Sequence, residues 1–119
     1  MYELLNQDLL PEWFEYPEKL SELLNNDEID FGPWQLLHGK WLNVRFAGLK
    51  QRYPNLELIP FARRLDDDDV ACFDISEKRS VPKVRIIHDF ASSGWEERGS
   101  FENFDMWLQV VKELARDWD

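Results

Sequence analysis

LELIPFARRLDDDDVACFDI, residues 56–75, sets four consecutive aspartates between two apolar runs. Runs rich in Ile, Val and Phe on either side of a polar cluster read as the two strands of a hairpin. In the second run Ala71, Phe73 and Ile75 share one face, and Val70, Cys72 and Asp74 the other. VPKVRIIHDF, residues 81–90, continues the pattern as a third strand. Val84, Ile86, His88 and Phe90 fall on one side of it, and Lys83, Arg85, Ile87 and Asp89 on the other.

Helical spacing brackets these strands. Toward the N-terminus, Tyr16, Leu20, Leu23 and Leu24 recur at helical intervals, Pro17 suits a first turn, and Asn25 and Asn26 make a stop. At the other end, Phe101, Phe104, Trp107, Leu108, Val111, Leu114, Ala115 and Trp118 form one broad apolar stripe, with Ser100 placed to cap its start. Between the first helix and the hairpin, DFGPWQLLHG reads as an irregular connection around a buried Trp34. Residues 41–53 fit a helix through Leu42, Phe46, Leu49 and Tyr53, and equally a strand through Leu42, Val44 and Phe46; Pro54 ends either one. ASSGWEERGS, residues 91–100, reads as a polar loop. The order predicts an α+β fold, with helices packed on an antiparallel sheet.

The chain has 119 residues, the size of one domain spanning 1–119, and 44% of them are apolar, enough for one core. No apolar run reaches the roughly 20 residues of a membrane span. The start, MYELLNQDLLPEWFEYPEK, lacks the basic and apolar regions of a signal peptide, and a single cysteine permits no internal disulfide. A cytoplasmic location follows as the expectation. The formal charge is −10, which disfavours direct contact with nucleic acid or anionic membrane and favours basic protein surfaces. It is unevenly spread: −8 over residues 1–31, +5 over 32–64, −4 over 65–79 and −3 over 80–119.

Neighbouring carboxylates about 6 Å apart repel by roughly 1–3 kcal/mol near a surface. Asp66, Asp67, Asp68 and Asp69 therefore need an offset or full hydration. A calcium loop is one answer, but the run lacks alternating ligands, and successive side chains of an extended segment cannot all face one ion. A wet turn with Arg63 and Arg64 as counter-charges is a second, and a docking patch for a basic partner a third; the last two can coexist. Trp95, in a glycine-flanked loop beside Glu96 and Glu97, either covers a core edge or stands out as an anchor of the kind that dominates interface energetics.

Catalytic chemistry finds little support in the sequence. Cys72, His88 and Asp89 hold the residue types of a nucleophile, base and orienter, but Cys72 sits mid-strand in an apolar run, and adjacent His88 and Asp89 face opposite ways. His38, Cys72 and His88 have no zinc-site spacing. No phosphate loop or nucleophile elbow occurs. No enzyme activity, catalytic residue, metal or cofactor is expected.

The central block resembles the SUKH superfamily. The likeness is carried by LIPFARR leading through DDDDVACFDI, then VRIIHDFASSGWEERGSFENFDMWL, with the earlier GPWQLL, over roughly residues 30–110. Asp66 to Asp69, Cys72, Phe73 and Asp74 match its acidic hairpin, Phe61 the apolar residue before it, Trp95 the loop aromatic and Trp107 the helix aromatic. The resemblance implies a single SUKH-like α+β domain, a twisted antiparallel sheet with flanking N- and C-terminal helices. It also implies an immunity protein that binds a cognate polymorphic or contact-dependent toxin domain, or, as in fungal relatives, a regulatory protein-interaction scaffold without a toxin. The expected partner is a basic toxin domain, such as one that attacks nucleic acid, met by Asp66, Asp67, Asp68, Asp69, Trp95, Glu96 and Glu97. No nucleic acid or membrane is contacted directly, and a monomer is expected.

Overall fold

The computed structural model describes residues 2–92 and 94–118. The hairpin around the aspartates forms as the alternation requires. β3 (Leu58–Arg64) and β4 (Asp69–Asp74) pair antiparallel, with Ile59 opposite Phe73, and β5 (Lys83–His88) pairs with β4, with Cys72 opposite Arg85. One residue of slack separates Pro60 and Ala62 in β3. Pro60 has no N–H to give to the ladder, and a bulge beside it accommodates that loss. Among the described residues the sheet has six strands in the order β1-β2-β3-β4-β5-β6, so every strand lies beside its neighbours in sequence, and every pairing is antiparallel. The α+β fold expected from the sequence is the one observed.

Three stretches differ from the sequence reading. DFGPWQLLHG is not irregular: β1 (Asp30–Phe31) and β2 (Trp34–Leu36) form a tight hairpin, with Trp34 buried. Strands of two and three residues are too short to show an alternation. Gly32 at their turn has φ +62°, and a β-carbon there would lie 3.0 Å from Ala115 Cα, so α3 can pack directly on the turn. Residues 41–53 belong to a helix, α2 (Gly39–Arg52), which buries Leu42, Phe46 and Leu49 and leaves Val44 in water. That exposure rules out the strand reading, in which Val44 would share a face with Leu42 and Phe46. The helix stops at Tyr53, whose backbone is pushed out of the helical region by Pro54.

The second half of ASSGWEERGS is also ordered, as β6 (Glu97–Phe101) on the sheet edge. All but Phe101 are exposed, so no apolar rhythm marks the strand. The pairing shifts between Ile86 and Ile87, where β6 holds Arg98 as an extra, bulged residue next to Gly99, whose φ of 143° suits glycine. Ser100 therefore lies in β6 and does not cap α3 (Phe104–Arg116); Asn103 caps it, its Oδ1 accepting the Met106 N–H at 2.9 Å. α1 (Glu18–Asn25) follows Pro17 and buries Leu20, Leu23 and Leu24, as its spacing predicts.

β3 and β4 are buried on both faces because helices cover both. On one side α3 brings Trp107 and Phe104 to Phe61, at ring separations of 4.8 and 5.3 Å, and Phe61 stacks on Phe73 at 4.4 Å. Phe14 and Tyr16 extend this cluster from the N-terminal segment. On the other side, where Val70, Cys72 and Ile87 point, α2 packs across β3. No helix of the described residues is long and apolar enough to cross a membrane.

Candidate functional site

The strand register decides what each aspartate does. Leu65 to Asp68 form the turn between β3 and β4, and Asp69 is the first residue of β4. Arg64 grips Asp66 with two hydrogen bonds, Nε to Oδ1 at 2.7 Å and Nη2 to Oδ2 at 3.2 Å. That bond holds the Asp66 carboxyl below the usual carboxylate range. Asp67 turns inward along the backbone, its Oδ1 accepting the Asp69 N–H at 2.7 Å. Asp68 presents its side chain to water, while its carbonyl accepts the Asp89 N–H at 3.0 Å.

Asp69 departs from the other three. It is 9% exposed and pairs across the ladder with His88, whose Nδ1 lies 2.8 Å from its Oδ1; the Arg98 Nε donates to the same oxygen at 3.2 Å. The repulsion expected of four adjacent carboxylates is thus divided. Arg64 answers Asp66, Arg98 answers Asp69 beside the His88 contact, and Asp67 and Asp68 have no ion-pair partner among the described residues. Arg63 does not act as the counter-charge that the sequence suggested, since its guanidinium reaches the Gln35 side-chain oxygen at 3.2 Å. Of the contact residues expected from sequence, Asp69 is therefore held mainly inside the protein.

Asp67, Asp69 and His88 each bring one donor atom within 4.8 Å of the others. These residue types suit a divalent cation, but Arg98 already places a fixed positive charge on Asp69. Nothing local in the sequence joins His88 or Arg98 to the aspartates. The signal that finds them is register, because Asp69 opposite His88 follows once the third strand is paired to the second.

Trp95 stands at the tip of the loop between β5 and β6, 80% exposed, so of its two readings it takes the exposed one. The loop base is moored: the His88 N–H donates to the Glu96 carbonyl at 2.7 Å, the Tyr53 hydroxyl to the Ala91 carbonyl at 2.8 Å, and the Trp95 N–H to the Ser92 carbonyl at 2.9 Å. Glu96 is half-buried, and Glu97 pairs with Arg85 on β5. The bond from the Asp89 N–H to the Asp68 carbonyl ties this loop to the acidic turn, so the two features sit on a common anchor.

The anchor itself is charged. Asp89 is 1% exposed and accepts from Arg45 Nη1, Arg52 Nε and Arg52 Nη2, each at 2.7 Å, and from the Phe90 N–H at 2.9 Å. Burial pushes its carboxyl up, and the bonds from Arg52, Arg45 and Phe90 outweigh that, leaving it below the ordinary range. α2 carries four bases, Lys40, Arg45, Lys50 and Arg52, and two of them, Arg45 and Arg52, are spent in this way. Phe90 does not continue the face of Val84, Ile86 and His88: its left-handed backbone, φ 66°, turns its ring to the α2 side, over the Arg52 guanidinium.

Cys72 is fully buried, and burial pushes its thiol well up, which suppresses the thiolate a nucleophile needs. It shares the ladder position of Arg85, on the opposite face from His88, so the two do not meet. Comparison with protein-family models, with curated proteins and with solved structures finds no match to this chain.

Proposed function

We propose that this chain is a cytoplasmic immunity protein of SUKH type that neutralises a basic toxin domain by stoichiometric binding, with no bond made or broken. The supporting observation is the pairing of an unneutralised acidic tip, Asp67 and Asp68, with an exposed Trp95 on a loop moored to that tip. A chain of charge −10 draws a basic partner and raises the association rate, toward about 10⁸ M⁻¹s⁻¹ at low salt. Trp95 then buries large area with few rotatable bonds, which slows dissociation. A toxin that cleaves nucleic acid has a basic cleft, where Asp67 and Asp68 occupy the places of phosphates.

The experiment reverses Asp67 and Asp68 together to Lys and measures binding to the toxin encoded by the neighbouring gene over a range of salt. Association at low salt should slow at least tenfold, and the salt dependence should flatten. Unchanged rates and slope remove the tip from the interface. In the same assay Trp95→Ala should act on dissociation, with a loss of about 2 kcal/mol or more if it is the anchor.

A further inference from the structure

On the α2 side of the sheet lies a surface of opposite character. Trp41, Val44 and Phe90 are 66%, 53% and 62% exposed, and between them opens a cleft of about 230 Å³. Arg45, Arg52 and Arg63 form its rim. The only carboxylate bonded to these three among the described residues is Asp89, which Arg45 and Arg52 share, so the group carries a local charge of +2 within a chain of −10. The Lys40 ammonium, 5.7 Å from the Trp41 ring, adds to it.

Phe90 makes the cleft difficult to explain as ordinary surface. A bulky residue with φ 66° is strained. That conformation is held by the Asp89 carboxylate, which accepts the Phe90 N–H, and by the Arg52 guanidinium 4.2 Å from the ring centre. The strain brings little burial in return, because Phe90 remains mostly exposed. An ion cluster centred on the buried Asp89 thus holds an apolar ring open beside a second aromatic and three guanidiniums.

We infer that this cleft is a docking site for an acidic protein segment, which inserts one apolar side chain between Trp41 and Phe90 and sets its flanking carboxylates on Arg63, Arg45 and Arg52. Charge complementarity selects the occupant. A basic segment meets like charge at the rim. A nucleic acid is a long polyanion, and it meets the acidic turn joined to this same loop through Asp68 and Asp89. A short acidic segment needs only the local field, and the cleft has room for one large side chain. None of these residues belongs to the toxin-facing tip, so the inference stands whether or not the tip binds a toxin.

The test titrates the isotope-labelled full chain with a short peptide, Phe-Leu flanked on each side by two acidic residues, and follows amide and indole signals by NMR. Shifts should centre on Trp41, Val44, Arg63 and Phe90. Arg63→Glu should weaken binding at least tenfold, and Val44→Glu, at an exposed position that leaves the fold intact, should do the same. Reversal of Asp67 and Asp68 should leave peptide binding no weaker. The proposal falls if the peptide with lysines in place of its acids binds equally well, if a thymidine oligonucleotide binds more tightly, or if neither cleft variant changes the affinity.

Discussion

Beneath α3 the sheet is closed by rings, Phe61 and Phe73 against Phe104 and Trp107. Beneath α2 it is closed by Leu42, Phe46 and Leu49 and, at one end, by Asp89 with two arginines. Stability on the first side comes chiefly from area removed from water, which carries no charge to match. On the second side, part of the closure depends on three charges staying matched. An ion cluster of this kind contributes little net stability over an apolar replacement, yet removing one member is costly. What it supplies is position, because it fixes α2 to the loop that carries Phe90 and Trp95. The aromatic side holds the fold together, and the charged side aims the loop.

The largest effect should come from the ring side. Trp107→Ala is expected to cost about 3–5 kcal/mol in urea unfolding, and Trp107→Phe clearly less. The Phe variant keeps a ring and removes an indole N–H that is buried without a hydrogen-bond partner among the described residues. If Trp107→Ala costs under about 1 kcal/mol, the division between the two sides is wrong.

Asp89→Asn should come next, at roughly 2–3 kcal/mol, below the ~3–5 kcal/mol of fully buried pairs because Arg45 and Arg52 remain partly open to water. It should also disturb the loop, seen as a displaced Trp95 indole N–H signal by NMR, whereas Trp107→Phe should leave the loop signals in place. Acid probes the same carboxylate. Its folded value lies below the ordinary 3.8, so the stability it adds is fully present above that value and is lost as the pH falls through the lower folded one. The urea midpoint of the wild type should drop in that acid range, and Asp89→Asn should flatten the drop. The smallest changes belong to the tip. Asp67→Ala, which removes the acceptor for the Asp69 N–H, should cost about 0.5–1 kcal/mol, and Asp68→Asn should stay within about 0.5 kcal/mol.

How legible the molecule was depended on length and burial. The central strands, α1 and α3 could be read because each repeats an apolar rhythm over enough residues. β1 and β2 were too short, β6 is exposed on a sheet edge, and the apolar residues of α2 satisfy two periods at once. The acidic tip and Trp95 were visible as composition. The split among the aspartates was not, because it depends on Asp69 meeting His88 and Arg98, which lie 19 and 29 residues away in sequence. Asp89 could be placed on the α2-side face by alternation, but its two arginines are set by where α2 crosses the sheet, which no local pattern encodes. The likeness to the SUKH superfamily remains a reading of motif order, and the toxin-binding experiment bears on it most directly.

The lateral borders of the sheet carry a consequence for handling the protein. β1 offers only two residues, and β6 is kinked by its bulge and lined with Glu97 and Arg98. Neither border presents the long, flat, uncharged backbone that templates a further strand from another molecule. Concentrated samples should accordingly resist fibril growth, and any polymer that forms should first require β6 to peel away from β5.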